Sequence, residues 1–173
     1  MINDCEYMKL LQSLSNTSTN IIGYTEQELK QIEKLYDITI QGQFREFMLL
    51  AGRCDGGLLG DDPIILYRRS WGVRAQLLFQ IGLFSDLQDA GAYEFMGKYG
   101  KVFCFSLEYE TQYYYLITDH TDNLVYHYNE GLESVECTNL TFYEYLDKIY
   151  KQYTKDSNRN QIICKGELLK IYV

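Results

Sequence analysis

The sequence KVFCFSLEYETQYYYLITDHTDNLVYHYNEGLESVEC, residues 101–137, decides the fold of this chain. Runs of β-branched and aromatic residues alternate there with short turn-rich pieces, which is the pattern of successive strands. Because loops this short join neighbouring antiparallel strands, the pattern predicts a meander. The run Val102–Phe105 is apolar on both faces and predicts a central, covered strand. The four predicted strands are Lys101–Leu107, Gln112–Thr118, Leu124–Tyr128 and Glu133–Cys137.

Helix patterns dominate the residues before this segment. Apolar residues recur at i, i+3, i+4 and i+7 within residues 3–14 and again within 44–51, where Gly52 is expected to end the helix in a left-handed conformation. Between them, Thr25-Glu26-Gln27-Glu28 is a capping box that begins another helix. Since only a few residues join the second and third helices, they are expected to pack as a hairpin. The buried face of the capping-box helix is expected to hold Leu29, Ile32, Leu35 and Tyr36.

The remaining elements complete the fold class. Ile64–Tyr67 is a short strand candidate, and Ser70 is expected to cap a helix that weakens at Gly82. A second capping box, Thr141-Phe142-Tyr143-Glu144, begins the last helix. Together the elements predict an α+β fold with helices packed around a mainly antiparallel sheet. The inward-facing residues expected on the Ser70 helix are Val73, Leu77, Leu78 and Ile81.

Length and composition favour a single domain over residues 1–173. We expect an N-terminal helix and connector at 1–20, a core at 23–154 and a C-terminal extension at 155–173, whose apolar end is expected to dock as a strand or helix. Five widely spaced cysteines without C-x-x-C suggest neither a disulfide framework nor a zinc site. The chain shows no signal-peptide pattern and no apolar run of bilayer length, so we expect a cytoplasmic protein without membrane contact.

The acidity of the chain is concentrated in one region. The formal charge is -8, from 16 basic and 24 acidic residues, and residues 102–147 contain nine carboxylates but no Lys or Arg. A surface of single sign steers a cationic partner and speeds its association, whereas nucleic-acid binding needs basic residues. The alternative interpretation is a sheet edge that its charges merely keep soluble.

No residue pattern predicts catalysis, a cofactor or a metal site. The chain has two histidines, His120 in a predicted turn and His127 in a predicted strand. With Asp119, Asp122 and a cysteine they could form a Cys–His–Asp arrangement, but no spacing favours it. Metal-binding spacings and phosphate-loop motifs are absent from the sequence. A small Cys–His hydrolase is therefore the third and weakest functional interpretation.

Seventeen tyrosines are the other unusual feature. Tyr113–Tyr115 are consecutive and must project to both faces of their strand. Tyrosine is common in strands, and it is also an interface residue because it offers a large area with a polar end. Glu108-Tyr109-Glu110 combines tyrosine with carboxylates as a strand facing a basic protein would. Trp71, beside Arg68 and Arg69, is either a core anchor or part of an interface rim.

The order of these segments resembles the SUKH superfamily, which contains bacterial immunity proteins and relatives of a yeast cell-wall-synthesis regulator. The resemblance covers roughly residues 23–154. Thr39-Ile40 departs from the family's Leu-Pro, Asp55 stands where Asn is common, and Thr141 where Ser usually precedes the aromatic residue. The segments that carry the resemblance are Gly23–Leu29 with Ile32-Glu33, Phe44–Met48 leading to Asp55-Gly56-Gly57, Gly100–Phe105, Val125–Tyr128 and Phe142–Leu146.

The resemblance implies an α+β domain without catalytic residues that binds and neutralises a toxin of a polymorphic or contact-dependent system. Toxins that attack nucleic acid are typically basic, so we expect a basic toxin domain, for example a nuclease, as the partner. Carboxylates would steer the encounter and aromatic side chains would anchor it. The alternative is an intracellular scaffold or regulator without a toxin partner. The candidate contact residues are Trp71, Glu108, Glu110, Tyr113, Asp119 and Asp122.

Overall fold

The protein has the α+β fold that the sequence predicts. A computed structural model describes residues 4–59, 63–154 and 163–170, and these contain five α-helices, a four-stranded sheet and a small two-stranded sheet. The elements are α1 (Glu6–Ser15), β1 (Ile21–Ile22), α2 (Glu26–Tyr36), α3 (Gly42–Ala51), β2 (Cys54–Asp55), α4 (Val73–Asp89), β3 (Val102–Glu108), β4 (Gln112–Ile117), β5 (Leu124–Asn129), β6 (Ser134–Thr141) and α5 (Phe142–Thr154).

The four-stranded sheet is an antiparallel meander in the order β3-β4-β5-β6, so that prediction is confirmed. The prediction of a central β3 is wrong: β3 is buried on both faces, yet it lies at the edge of the sheet. No strand covers this edge within the described residues. The Gln80 side chain hydrogen-bonds both the amide and the carbonyl of Cys104, and Leu107 donates its amide to the Pro63 carbonyl.

One face of the meander packs against α2, α3 and α5, with α1 behind α3 and α5, and we call it the phenylalanine face. The ring centroid of Phe142 lies 4.9 Å from that of Phe105, 5.6 Å from Phe44 and 5.4 Å from Phe47. All four rings are buried, as is Phe103 beside them. This face therefore forms a closed apolar core of the kind that determines stability.

The opposite face packs against α4, and we call it the tyrosine face. Leu83 and Leu87 of α4 bury against β3 and β4. Beyond α4 this face is only partly covered, and its aromatic residues are Tyr113, Tyr115, Tyr126 and Tyr128. The two faces follow from the two-residue period of a strand, which sends consecutive side chains of β4 to opposite sides.

The two capping boxes predicted at the starts of α2 and α5 are confirmed. Thr25 accepts a hydrogen bond from the Glu28 amide while the Glu28 carboxylate accepts from the Thr25 amide, and Thr141 and Glu144 make the same exchange. The prediction that α3 ends at Gly52 in a left-handed conformation is wrong, because the φ angle of Gly52 is -60°. Glycine is needed there for space instead, since a Cβ atom would lie 2.8 Å from the Tyr24 ring. Leu35 is also misassigned to the buried face, with 42% of its surface exposed.

The predictions for α4 are partly wrong. The helix begins after Gly72 rather than at Ser70, and it continues through Gly82 to Asp89. Leu78 and Ile81 point outward, with 65% and 62% of their surfaces exposed. Leu77 is half-buried, so only Val73 of the four expected residues is buried. The other buried positions are Gln76, Leu83 and Leu87, which places a glutamine in the inward face.

Two other short segments differ from prediction. Ile65–Tyr67 is a 3₁₀ helix rather than a strand, because Ile64 makes a single bridge to Ser106 before the chain turns away. Within 163–170 the C-terminal extension is neither helix nor strand, although it packs on the core through Leu168. Residues 155–162 and 171–173 of the predicted extension lie outside the described residues.

Candidate functional site

A row of four aromatic side chains runs across the tyrosine face, and we call it the aromatic strip. It consists of Trp71, Phe79, Tyr113 and Tyr128. The centroids of Trp71 and Phe79 lie 4.9 Å apart, those of Phe79 and Tyr113 5.6 Å, and those of Tyr113 and Tyr128 5.6 Å. The first three side chains are half-buried and Tyr128 is buried. The row is therefore anchored in the core yet presents ring surface to a partner.

Four separate elements position the strip. Tyr113 of β4 and Tyr128 of β5 are direct cross-strand partners, so their rings meet on one face. Phe79 comes from the flank of α4, and its ring stacks on Tyr113 at an angle of 20°. Trp71 precedes α4 in a turn that is closed by a hydrogen bond from the Trp71 amide to the Arg68 carbonyl. The Arg68 guanidinium lies 4.9 Å from the Trp71 ring centroid.

Carboxylates border the strip at the β5–β6 connection and on α4. We call Asp86, Glu130 and Glu133 the acidic rim. The Tyr113 hydroxyl donates to Glu130 at 3.1 Å. Burial and then the charge of Glu130 raise the pKa of Tyr113, so its phenol remains a donor at neutral pH. Burial, with the charges of Glu130 and Asp89, also raises the pKa of Asp86. Within the described residues no Lys or Arg forms an ion pair with the rim.

The hairpin between β3 and β4 ends next to the strip. Tyr109 and Glu110 form its turn, with φ values of 53° and 58°, so that only Glu108 of the segment Glu108-Tyr109-Glu110 lies in a strand. This left-handed conformation is unusual for residues other than Gly, Asn and Asp. It leaves Tyr109 81% exposed and directs Glu110 to Arg68, whose guanidinium lies 3.0 Å from its carboxylate. The turn thus connects the acidic hairpin end to the Trp71 end of the strip.

The structure brings together three of the six predicted contact residues: Trp71, Glu110 and Tyr113. Glu108 lies on the phenylalanine face, where its carboxylate accepts a hydrogen bond from Tyr145 at 2.9 Å. Asp119 and Asp122 lie in the β4–β5 loop, at the other end of the sheet. Since β4 has six residues, roughly 20 Å of strand separates that loop from the hairpin end. The acidic region is therefore not one continuous surface.

Phe79 of the strip and Asp86 of the rim were not among the residues predicted from the sequence. Both lie on α4 at i and i+7, a spacing that places them on one side of a helix. That spacing was a detectable signal, but it is meaningful only once α4 is known to continue past Gly82. Tyr128 and Tyr113 could be paired only after the register of β4 and β5 was known.

Neither histidine is arranged for catalysis with a thiol. The His127 ring nitrogens lie 3.2 Å from Glu136 and 2.6 Å from Gln112, and His120 lies 3.8 Å from Asp122. In the described part of the chain, no group of three or more His, Cys, Asp or Glu side chains is placed to hold a metal ion. Among the described helices, none combines the length and apolar character that a bilayer crossing needs. We therefore take the strip and its rim as the candidate site.

The arrangement suits recognition of a cationic partner surface. Exposed aromatic ring faces attract Arg and Lys side chains, and unpaired carboxylates beside them can accept hydrogen bonds from the same cations. No protein-family model, curated protein or solved structure significantly matches this chain.

Proposed function

We propose that this chain is an immunity protein that binds a basic toxin domain through the aromatic strip and acidic rim and blocks the toxin's substrate path. The observation that carries the proposal is a row of four aromatic rings, three of them half-buried, bordered by carboxylates that have no Lys or Arg ion-pair partner among the described residues. Aromatic side chains in partly buried positions are frequent binding hot spots, and unpaired charges at a rim mainly accelerate association.

The resemblance to the SUKH superfamily is the second support. The α+β fold with an antiparallel meander agrees with the architecture that the resemblance implies. We include a SUKH-like fold and a cytoplasmic location in the proposal. A stoichiometric inhibitor of this kind acts by occlusion, so the proposal needs no catalytic residue, cofactor or metal.

The first experiment tests whether the partner exists. Purified protein is titrated with the toxin domain encoded next to its gene, at low and high salt. We expect a 1:1 complex whose association slows as salt rises, because salt screens the attraction of exposed charges. A complex that forms equally fast at all salt concentrations would contradict the role of the rim. Absence of binding, or of such a neighbouring gene, would favour the scaffold alternative.

Matched charge variants then locate the surface. Asp86→Asn with Glu130→Gln should slow association several-fold, whereas Asp119→Asn with Asp122→Asn, at the other end of the sheet, should leave it unchanged. The reverse result would assign the interface to the β4–β5 loop instead of the strip.

Aromatic variants test the anchors. Phe79→Ala and Tyr113→Ala should each speed dissociation about 10- to 100-fold, as expected for hot-spot side chains. Tyr93→Ala is the control, because Tyr93 is 64% exposed and lies outside the strip. Equal effects of Tyr93 and Tyr113 substitution would argue against the strip as the anchor.

A further inference from the structure

The outward side of α4 has a symmetric residue pattern that packing within the chain does not explain. Seven residues of α4 are exposed, and six of them, which we call the α4 face, occupy paired positions along one side; Gln88 is the seventh. About a midpoint between positions 81 and 82, position 74 corresponds to 89, 78 to 85 and 81 to 82. The residues are Arg74, Leu78, Ile81, Gly82, Ser85 and Asp89.

The centre of this face is apolar and exposed. Leu78 and Ile81 have 65% and 62% of their surfaces exposed, among the largest values for apolar residues in the described chain. Beside Ile81, an apolar groove of about 330 Å³ lies between α4, Leu35 and Tyr99, which are themselves exposed. Contiguous exposed apolar side chains beside a groove are typical of an interaction surface.

The charged residues at the two ends of the α4 face are unfavourable for an isolated helix. Arg74 is in the first turn of α4 and Asp89 is its last residue. The helix macrodipole favours the opposite arrangement, with acids at the start and bases at the end. In the described residues neither side chain forms an ion pair. Both charges are therefore better explained by something outside the chain.

Gly82 supports the same conclusion. A glycine in a helix interior weakens the helix relative to alanine. The φ angle of Gly82 is not in the left-handed region, so the backbone conformation does not require glycine. A Cβ atom at this position would also meet no other atom within 4 Å. The open space in front of Gly82 would permit another backbone to approach closely.

We propose that the α4 face binds a second copy of this chain, with the two α4 helices antiparallel about a twofold axis at Ile81-Gly82. In an isologous interface residue i of one copy contacts residue j of the other, and residue j contacts residue i. An antiparallel pair with its axis between 81 and 82 therefore places Arg74 of each copy opposite Asp89 of the other. Each charge then also lies at the end of the other helix whose dipole it complements. Leu78 and Ile81 bury at the centre, where helices pack 8–10 Å apart.

This dimer goes beyond the proposed function and does not depend on it. Phe79 and Asp86 lie on a different flank of α4, so the strip and rim stay accessible in the dimer. Loss of dimerisation and loss of toxin binding are therefore separate outcomes.

The test is sedimentation equilibrium of the full chain across the micromolar range, with charge reversals. We expect Arg74→Asp and Asp89→Arg each to raise the dimer Kd at least about tenfold, because each converts two attractive pairs into repulsive ones. The combined variant should return to within about threefold of the wild type, since it restores both pairs with the charges exchanged.

Two controls complete the test. Lys30→Asp, an exposed charge reversal on α2, should leave the mass unchanged, and Leu78→Asp should give a monomer with an unaltered circular dichroism spectrum. A wild-type chain that is monomeric at every concentration would overturn the proposal. So would a dimer indifferent to the single reversals, or single-variant losses that the combined variant does not restore.

Discussion

The two faces of the meander bury aromatic rings in different ways. On the phenylalanine face, Phe105 and Phe142 are at most 1% exposed and contact other rings edge to face. On the tyrosine face, Tyr115 donates its hydroxyl to the Phe95 carbonyl and Tyr113 donates to Glu130 at the surface. A phenylalanine contributes most to stability when its ring is fully excluded from water. A tyrosine can lie at the boundary between core and solvent, because its hydroxyl finds a hydrogen-bond partner there. We infer that the first face determines stability and the second is available for recognition.

The largest expected effect tests this division directly. Phe142→Ala should lower the free energy of unfolding by about 3–5 kcal/mol, because it opens a cavity among buried rings. Phe79→Ala removes a half-buried ring and should cost only about 1–2 kcal/mol. Urea denaturation measures both losses, provided that the dependence of the unfolding free energy on urea concentration is the same in the two variants. If the two variants lose equal stability, the division between the faces is wrong.

The next effect concerns the covered edge of β3. Gln80 makes two hydrogen bonds of 2.8 Å to the backbone of Cys104, so Gln80→Ala should cost about 2–3 kcal/mol by leaving a donor and an acceptor unpaired. The uncovered edge should also promote association of strands, visible as light scattering on heating. Gln88→Ala, at an exposed position of the same helix, is the control and should change neither readout.

A smaller and pH-dependent effect is expected at Arg53, which links α2 to the C-terminal extension. Arg53 lies 2.8 Å from Glu28 and 3.2 Å from Glu167 of the C-terminal extension. Its hydrogen bonds lower the pKa of Glu28 from 4.5 to about 2. The folded state therefore favours the ionised carboxylate, and this contribution is present above pH 4.5 and lost as the pH falls toward 2.

Glu28→Gln should thus lower stability by about 2 kcal/mol at neutral pH and flatten the loss of stability between pH 4.5 and 2. The exposed Glu26, which pairs with Arg45, provides the control, and Glu26→Gln should cost less than about 1 kcal/mol. Chemical denaturation at several pH values measures both. An acid profile unchanged by Glu28→Gln would show that this ion pair does not stabilise the fold.

The parts of this fold that depend on local sequence could be predicted, and those that depend on distant partners could not. Capping boxes and short turns operate within four residues, which is why the helix starts and the meander were recognisable. The edge position of β3 was not, because its covering group is Gln80, more than twenty residues earlier in the chain.

The orientation of α4 shows the limit of hydrophobic periodicity. Gln76 and Gln80 face inward because their amides bond the Ile65 carbonyl and the Cys104 backbone. Leu78 and Ile81 consequently face outward. A pattern that assigns apolar residues to the core selects the wrong side of a helix when polar side chains hydrogen-bond inside, as the amide nitrogen of Gln76 and both amide atoms of Gln80 do.

The site was predictable to the same extent. The sequence predicted Trp71, Glu110 and Tyr113 as contact residues, and the structure places these three near one another, but the prediction treated the acidic run as one surface. A meander reverses direction at each turn, which moves Asp119 to the far end of the sheet, and the strand period moves Glu108 to the other face. Charge counted along a sequence therefore overestimates charge on one surface.

The smallest expected effect is chemical, and it tests the openness of the tyrosine face without altering stability. Cys137 of β6, opposite Tyr126 in the register, is half-buried, whereas the other four cysteines are buried. Burial also raises the pKa of Cys5 to about 12 and that of Cys104, so these thiols are poorly ionised at neutral pH. A thiol reagent should therefore label one cysteine rapidly in the native protein.

Cys137→Ser should abolish that rapid phase without changing the unfolding midpoint, and urea should expose all five thiols of the sequence. Cys104 gives the sharper comparison, because it lies beneath α4 on the tyrosine face, while Cys5 lies in the phenylalanine-face core. If Cys104 is labelled faster than Cys5 under native conditions, α4 opens locally more often than the opposite core does. Equal rates set by global unfolding would mean that the tyrosine face is partly exposed yet as rigid as the closed core.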